Sequence, residues 1–148
     1  MAALHTVGGR TPQAVVYKSE SHKLHQAFPV KKGDTIVQGQ AVKLNEDGTI
    51  SPYTGATGEI YLGIAVNYSK YPAYPPTPQG PEVTVMMEAF AIVHGIAKEA
   101  ITSAGYVNTD GTLDHSGIYP NYSPSTGETK FVAINTSGAD ELVQILVK

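Results

Sequence analysis

The sequence predicts a mainly β protein: a small β-barrel with one short helix and an extended N-terminal arm. Short stretches of alternating apolar and polar residues are separated by Asp-Gly pairs, and 15 glycines and 10 prolines punctuate the 148 residues. Only residues 98–104 (KEAITSA) have a helical composition, and Gly105 follows them as a stop signal. We expect the strands to close into a barrel, because closure removes exposed strand edges.

The chain divides into an N-terminal arm, residues 1–27, and a compact β domain, residues 28–148. The arm contains Gly8-Gly9 and Pro12 and shows no apolar periodicity. Its apolar patch, residues 14–17 (AVVY), can form a strand. We expect residues 1–27 to be mostly extended. A terminal arm of this kind becomes ordered only when something ties it down.

The first half of the β domain predicts a hairpin and a further strand. Residues 41–52 alternate on both sides of Asp47-Gly48, which is a hairpin-turn signal. Residues 62–66 (LGIAV) alternate again. The small Gly63 in this strand indicates that a neighbouring strand approaches closely.

The second half of the β domain predicts further strands. Residues 82–94 are expected to form a strand pair, and Asp110-Gly111 marks a second hairpin. Residues 117–127 are expected to form a loop. The last two strands are predicted at residues 131–135 and 142–147.

Residues 67–81 (NYSKYPAYPPTPQGP) join the two halves and hold five of the ten prolines. Proline lacks a backbone N–H, so this segment predicts a stiff loop with polyproline character. Tyr68, Tyr71 and Tyr74 support an alternative interpretation. Aromatic rings stack on sugars and their hydroxyls form hydrogen bonds, so the chain could be a surface-displayed adhesion or carbohydrate-binding module.

The amino-acid composition excludes several classes of function. Ten basic residues, of which only Arg10 is arginine, stand against 13 acidic ones, so we expect no nucleic-acid partner. No cysteine is present, which excludes disulfides and thiolate chemistry. No apolar run of about 18 residues and no signal-peptide pattern occurs, so we expect no membrane partner.

The titratable residues do not form a recognisable catalytic pattern. His22 and His25 have a metal-ligand spacing but lie in a polar stretch without a carboxylate at a useful distance. Asp114 and His115 are adjacent and would point to opposite faces of a strand. No nucleophile elbow, Walker loop or dinucleotide fingerprint is present. We therefore predict no enzymatic activity and no catalytic, cofactor or metal site.

Residues 30–42 resemble the first half of biotinyl and lipoyl carrier domains. Those domains attach their cofactor to a lysine at a hairpin tip. The tip that follows here, residues 45–48 (NEDG), has no lysine. We therefore expect no cofactor and interpret these residues as an ordinary β-hairpin segment.

An ordered set of motifs runs through the β domain. It consists of Gly33-Asp34-Thr35-Ile36, Gly39 before Ala41-Val42, Asp47-Gly48, residues 62–66 (LGIAV), residues 83–85 (VTV), residues 100–107 (AITSAGYV) and a second Asp-Gly turn. In this order, over roughly residues 28–147, the chain resembles the head-decoration (capsid-stabilising) proteins of tailed bacteriophages. The segment 67–81 is longer and richer in proline and tyrosine than the family pattern.

The resemblance implies a β-tulip-like domain, a homotrimer, and a structural role on the virion. Such a protein is made in the host cytoplasm, binds the major capsid protein on the outer capsid surface and stabilises the head. The arm would carry the contacts, with Arg10, Val15, Val16 and Tyr17 as the expected capsid-contact residues. A short apolar strand can add to a free strand edge at a capsid subunit junction.

Overall fold

All regular structure in the described part of the chain is β-strand. The computed structural model describes residues 16–19, 24–66, 81–87 and 91–148. Its strands, in chain order, are β1 (Val16–Ser19), β2 (Leu24–Pro29), β3 (Ala41–Leu44), β4 (Ile50–Pro52), β5 (Ile60–Ala65), β6 (Glu82–Met87), β7 (Ala91–Ala97), β8 (Gly105–Leu113), β9 (Pro120–Pro124), β10 (Phe131–Ala133) and β11 (Leu142–Val147). The prediction of a mainly β protein is confirmed.

Five of these strands close into a barrel, which confirms the prediction of a β-barrel. Their order is β7-β11-β10-β8-β9, and β9 returns to pair with β7. The β7–β9 pairing is parallel and joins Ile96 to Asn121 and Ala97 to Tyr122. The other barrel pairings are antiparallel. β1 also pairs with β7, outside the closed ring.

The remaining strands form a second sheet in the order β2-β6-β5-β3-β4. Val30, directly after β2, forms a bridge with Ile50 of β4, and the Lys31 backbone N–H donates to the Ile50 carbonyl at 3.0 Å. The sheet therefore curls until its first and last strands nearly meet. It encloses a cluster of buried apolar residues: Val30, Ile36, Val42, Ile50, Ala65, Val83 and Val85.

The central strands of the curled sheet are buried on both faces. Because side chains alternate along a strand, the residues next to the enclosed cluster point the other way. Ala41, Ile64 and Met86 pack with residues of the barrel, including Val93 and Phe131, in a second buried cluster. The two sheets consequently share a core.

Aromatic rings and one buried amide join the two sheets. The Tyr61 ring on β5 lies edge-on to the Phe131 ring on β10, with centroids 5.9 Å apart, and Tyr122 meets Phe131 at 5.6 Å. Gln40 is buried, and its Nε2 donates to the Gly111 carbonyl of β8 at 3.1 Å. Its Oε1 accepts from the Val37 N–H, so both ends of the amide are bonded.

The hairpin predicted at residues 41–52 is confirmed. β3 and β4 pair antiparallel, with Leu44 opposite Ile50. The Asn45 N–H donates to the Thr49 carbonyl at 2.8 Å, and Gly48 has a positive φ of 85°. The left-handed conformation is the one for which glycine is suited, so the turn chemistry identified this hairpin correctly.

The helix predicted at residues 98–104 is wrong, because the described residues contain no helix. Ile101 instead forms a bridge with Ser137: each N–H donates to the other's carbonyl, at 2.8 and 3.0 Å. A pairing between residues that are far apart in the sequence therefore replaces the local helical bonds that the composition favoured.

The hairpin predicted at Asp110-Gly111 is also wrong. β8 continues through both residues to Leu113, and its pairing with β9 shifts between Thr109 and Leu113, so the glycine lies in a β-bulge. The chain turns later, where the Asp114 N–H donates to the Tyr119 carbonyl at 2.9 Å.

Two further predictions for the second half need correction. β9 occupies part of the loop predicted at residues 117–127. The strands predicted within residues 82–94 exist, but β6 belongs to the curled sheet and β7 to the barrel, so they do not pair with each other. The final two strands are observed as β10 and β11.

Gly63 provides a test of the close strand packing. A Cβ atom at this position would collide with the Met86 carbonyl oxygen, which is backbone and cannot swing away. We expect Gly63→Ala to lower the free energy of unfolding by about 2 kcal/mol, measured by urea denaturation. Gly127→Ala is the control, because its Cβ would meet nothing within 4 Å. Equal stabilities of the two variants would contradict this packing.

Candidate functional site

The predicted arm, residues 1–27, has two described stretches: β1 and the first four residues of β2, Leu24 to Ala27. β1 pairs antiparallel with β7, Val16 opposite Val93 and Ser19 opposite Ala91. β11 occupies one edge of β7 along residues 91–96, so β1 lies on the other edge. β1 is the end strand of its sheet, and its outer edge pairs with no described strand. Such an edge presents backbone N–H and C=O groups that another chain can bind.

The residues predicted for capsid contact fall partly outside the described residues. Arg10 and Val15 lie outside them, whereas Val16 and Tyr17 belong to β1, whose backbone is placed. Tyr68, Tyr71 and Tyr74, predicted for the alternative ligand surface, also lie outside the described residues. The structure therefore brings Val16 and Tyr17 to a strand edge, and the adhesion alternative stays a prediction.

β2 provides a second strand edge. It is the end strand of the curled sheet and pairs with β6 along its whole length. Its first four residues, Leu24 to Ala27, are exposed on both faces, and Leu24 is 60% exposed. Both strands that follow the N-terminal segment thus lie at sheet edges.

The histidines that the structure describes are dispersed. His25 is exposed on β2, His94 is buried in β7, and His115 Nδ1 lies 3.3 Å from Asp140 Oδ1; His22 falls outside the described residues. Within residues 16–19, 24–66, 81–87 and 91–148, no three His, Cys, Asp or Glu residues form a group that could hold a metal ion. The same residues include no helix that is long and apolar enough to cross a membrane.

The pKa of the Asp110 carboxyl, on the barrel surface, is clearly lowered. Lys98 Nζ donates to its Oδ2 at 2.7 Å, and the Thr112 N–H donates to its Oδ1 at 2.9 Å. Partial burial raises the pKa of Asp110, but these hydrogen bonds outweigh burial and bring the pKa down to about 2 from an ordinary 3.8. The charge pair connects Lys98, directly after β7, to the β-bulge of β8.

We expect Asp110→Asn to lower the free energy of unfolding by about 1 kcal/mol at pH 7, a value reduced for the solvent screening of an exposed pair. The folded-state pKa lies below the unfolded one, so this stabilisation is complete above about pH 5 and disappears as the pH falls towards 2. Urea unfolding from pH 7 to pH 2 measures it.

Asp47→Asn is the matched control, because Asp47 forms the same hydrogen bonds to a threonine two residues ahead without a lysine bond. The stability curves of wild type and Asp110→Asn should converge near pH 2. Curves that stay parallel over the whole range would contradict the role assigned to the Lys98 pair.

A surface that the sequence reasoning missed lies on the outside of the barrel. Cross-strand pairing places one outward apolar residue from each of four adjacent strands in a line. We call this line the outer apolar row; its members are Ile92, Leu146, Val132 and Tyr106. Tyr106 is 37% exposed and the other three are half-buried. The alternation of apolar and polar residues along β10 and β11 indicates which residues face outward. Their alignment into a row depends on the strand register, which the sequence does not show.

A cavity of about 400 Å³ lies beside Lys148, whose ammonium group lies over the Tyr106 ring of this row. Lys130 and Lys148 contribute to its lining, with Glu128 and Asn108. Lys148 Nζ donates to the Tyr106 hydroxyl at 3.3 Å, which connects the cavity to the outer apolar row. The cavity therefore combines two ammonium groups with a neighbouring apolar surface.

Comparison of the chain with known proteins gives neither a matching family model nor a matching curated protein. The functional interpretation accordingly depends on the strand edges, the outer apolar row and the motif order of the sequence.

Proposed function

We propose that this chain is a structural virion protein that binds the outer surface of a tailed-phage capsid lattice and stabilises the head. In this proposal it belongs to the head-decoration proteins, has a β-tulip-like domain, acts as a homotrimer and has the major capsid protein as its partner. It requires no cofactor and catalyses no reaction. The family membership, the trimer and the location on the virion rest on the motif order in residues 28–147.

The observation that carries the proposal is the position of β1. The arm enters the domain as an end strand on β7, with an outer edge that pairs with no described strand. A capsid subunit with its own exposed edge can add to such a strand through backbone hydrogen bonds. Every second residue of the outer edge offers its backbone N–H and C=O, so such a contact requires no particular side chain of the partner.

The composition supports the same function. Only 16% of the residues are charged, whereas tyrosine occurs nine times. Charged residues are depleted and tyrosine is enriched at the cores of protein interfaces. A protein that covers wide areas of a capsid needs contact surface, and this composition supplies it.

Deletion of the arm tests the proposal. We expect removal of residues 1–19, which includes β1, to weaken binding to expanded, undecorated phage heads at least tenfold, because the edge and the segment before it are lost. Co-sedimentation with the heads of the phage that encodes the chain measures binding. Circular dichroism checks that the barrel remains folded.

A second variant separates β1 from the residues before it. Replacing residues 1–15 by a Gly-Ser segment of equal length keeps the β1 edge and removes Arg10 and Val15. Intermediate binding is expected if both parts contribute. Binding of both variants as tightly as the full chain would contradict the role of the arm.

A further inference from the structure

The outer apolar row has the dimensions of a short extended peptide. It crosses four neighbouring strands, β7, β11, β10 and β8, and therefore spans about 14 Å at the usual strand spacing. In an extended chain, every second side chain faces the same way, about 6.6 Å apart. Two or three alternating apolar side chains of a partner would cover the row.

Two lysines lie beside this row with incompletely neutralised charge. Lys130 directly precedes Phe131 and Lys148 directly follows Val147. Because Phe131 and Val147 pair antiparallel, the two lysines stand opposite each other at the ends of β10 and β11. Like charges placed directly opposite destabilise a sheet. Lys148 has Glu128 at 3.6 Å, whereas Lys130 has no ion-pair partner among the described residues.

The cavity that these lysines line is suited to an anionic group. Glu128 is the one carboxylate side chain among its lining residues, so the lining side chains carry an excess of one positive charge. Asn108 also lines the cavity; its Oδ1 accepts from the Thr109 N–H, and its Nδ2 donates no hydrogen bond within the described residues. Three nitrogen donors thus surround the space without a full set of acceptors.

We propose that this face binds an extended acidic segment of another protein. Its alternating apolar side chains lie on the outer apolar row, and its carboxylate enters the cavity between Lys130, Lys148 and Asn108. Charge complementarity favours this occupant, because an acidic side chain supplies the negative charge that Lys130 has no partner for among the described residues. The inference concerns a different surface from the β1 edge and does not depend on capsid binding.

Three matched peptides test the proposal on the full chain. The probes are acetyl-Val-Ser-Val-Ser-Glu-Glu-amide and its counterparts ending in Gln-Gln and Lys-Lys, so that only the terminal charge changes. We expect the acidic peptide to bind at least tenfold more tightly than the basic one. In ¹⁵N-labelled protein, it should shift the backbone amide signals of Lys130, Val132, Leu146 and Lys148 in NMR spectra.

Charge reversal identifies the residues responsible. The double variant Lys130→Glu and Lys148→Glu should prefer the basic peptide. The control is Lys31→Glu with Lys32→Glu, which changes the net charge equally at exposed positions of the turn that follows β2. This control should retain the wild-type preference. Leu146→Thr should weaken binding of all three peptides, because it removes apolar contact from the row.

Several outcomes would overturn the proposal. They are the absence of saturable binding of the acidic peptide, signal shifts confined to other surfaces, or an equal change of preference in the Lys31 and Lys32 control. Sedimentation velocity adds a further one: if Leu146→Thr converts an oligomer to a monomer, the occupant is a second copy of this chain. Because the probes are peptides, a failure of capsid binding leaves these results unaffected.

Discussion

The pairing of strand β7 is the constraint on which the rest of the architecture depends. One edge of β7 is covered by β11, and the other is divided between β1 and β9. The β9 pairing at Ile96 and Ala97 closes the barrel, and the β1 pairing at residues 91–93 attaches the arm. Barrel closure and arm attachment are therefore properties of one strand.

The residues of β7 explain how it can serve three neighbours. Gly95 lies where a Cβ atom would collide with the Tyr122 ring of β9, so only glycine allows the two strands to approach. Tyr122 in turn packs against Phe131, which meets Tyr61 of the curled sheet. Closure of the barrel and its contact with the second sheet are thus joined through one set of rings.

Local turn chemistry explains which parts of the fold could be predicted. Asp47-Gly48 and Asp110-Gly111 have the same signal, the same hydrogen bonds to the following threonine and glycines with positive φ. The first forms a hairpin and the second a bulge. The second differs because β8 continues to pair with β9 beyond Gly111, and because Gln40 of the other sheet donates to the Gly111 carbonyl. Only partners distant in sequence distinguish the two.

The candidate surfaces also differ in whether neighbouring residues in the sequence or distant ones form them. The apolar patch of the arm was recognised from consecutive residues, and its described part is a strand. The outer apolar row could not be predicted from the sequence, because its four members come from four strands and only the strand register brings them together. A surface assembled across strands leaves no continuous pattern in the sequence.

Electron cryomicroscopy of expanded phage heads incubated with the purified chain tests the proposed capsid binding. If the chain decorates the capsid, we expect density for the β domain on the outer surface, repeated in register with the capsid lattice, with the arm reaching a subunit junction. Heads that remain undecorated at saturating protein concentration, or density confined to the interior, would contradict the proposal.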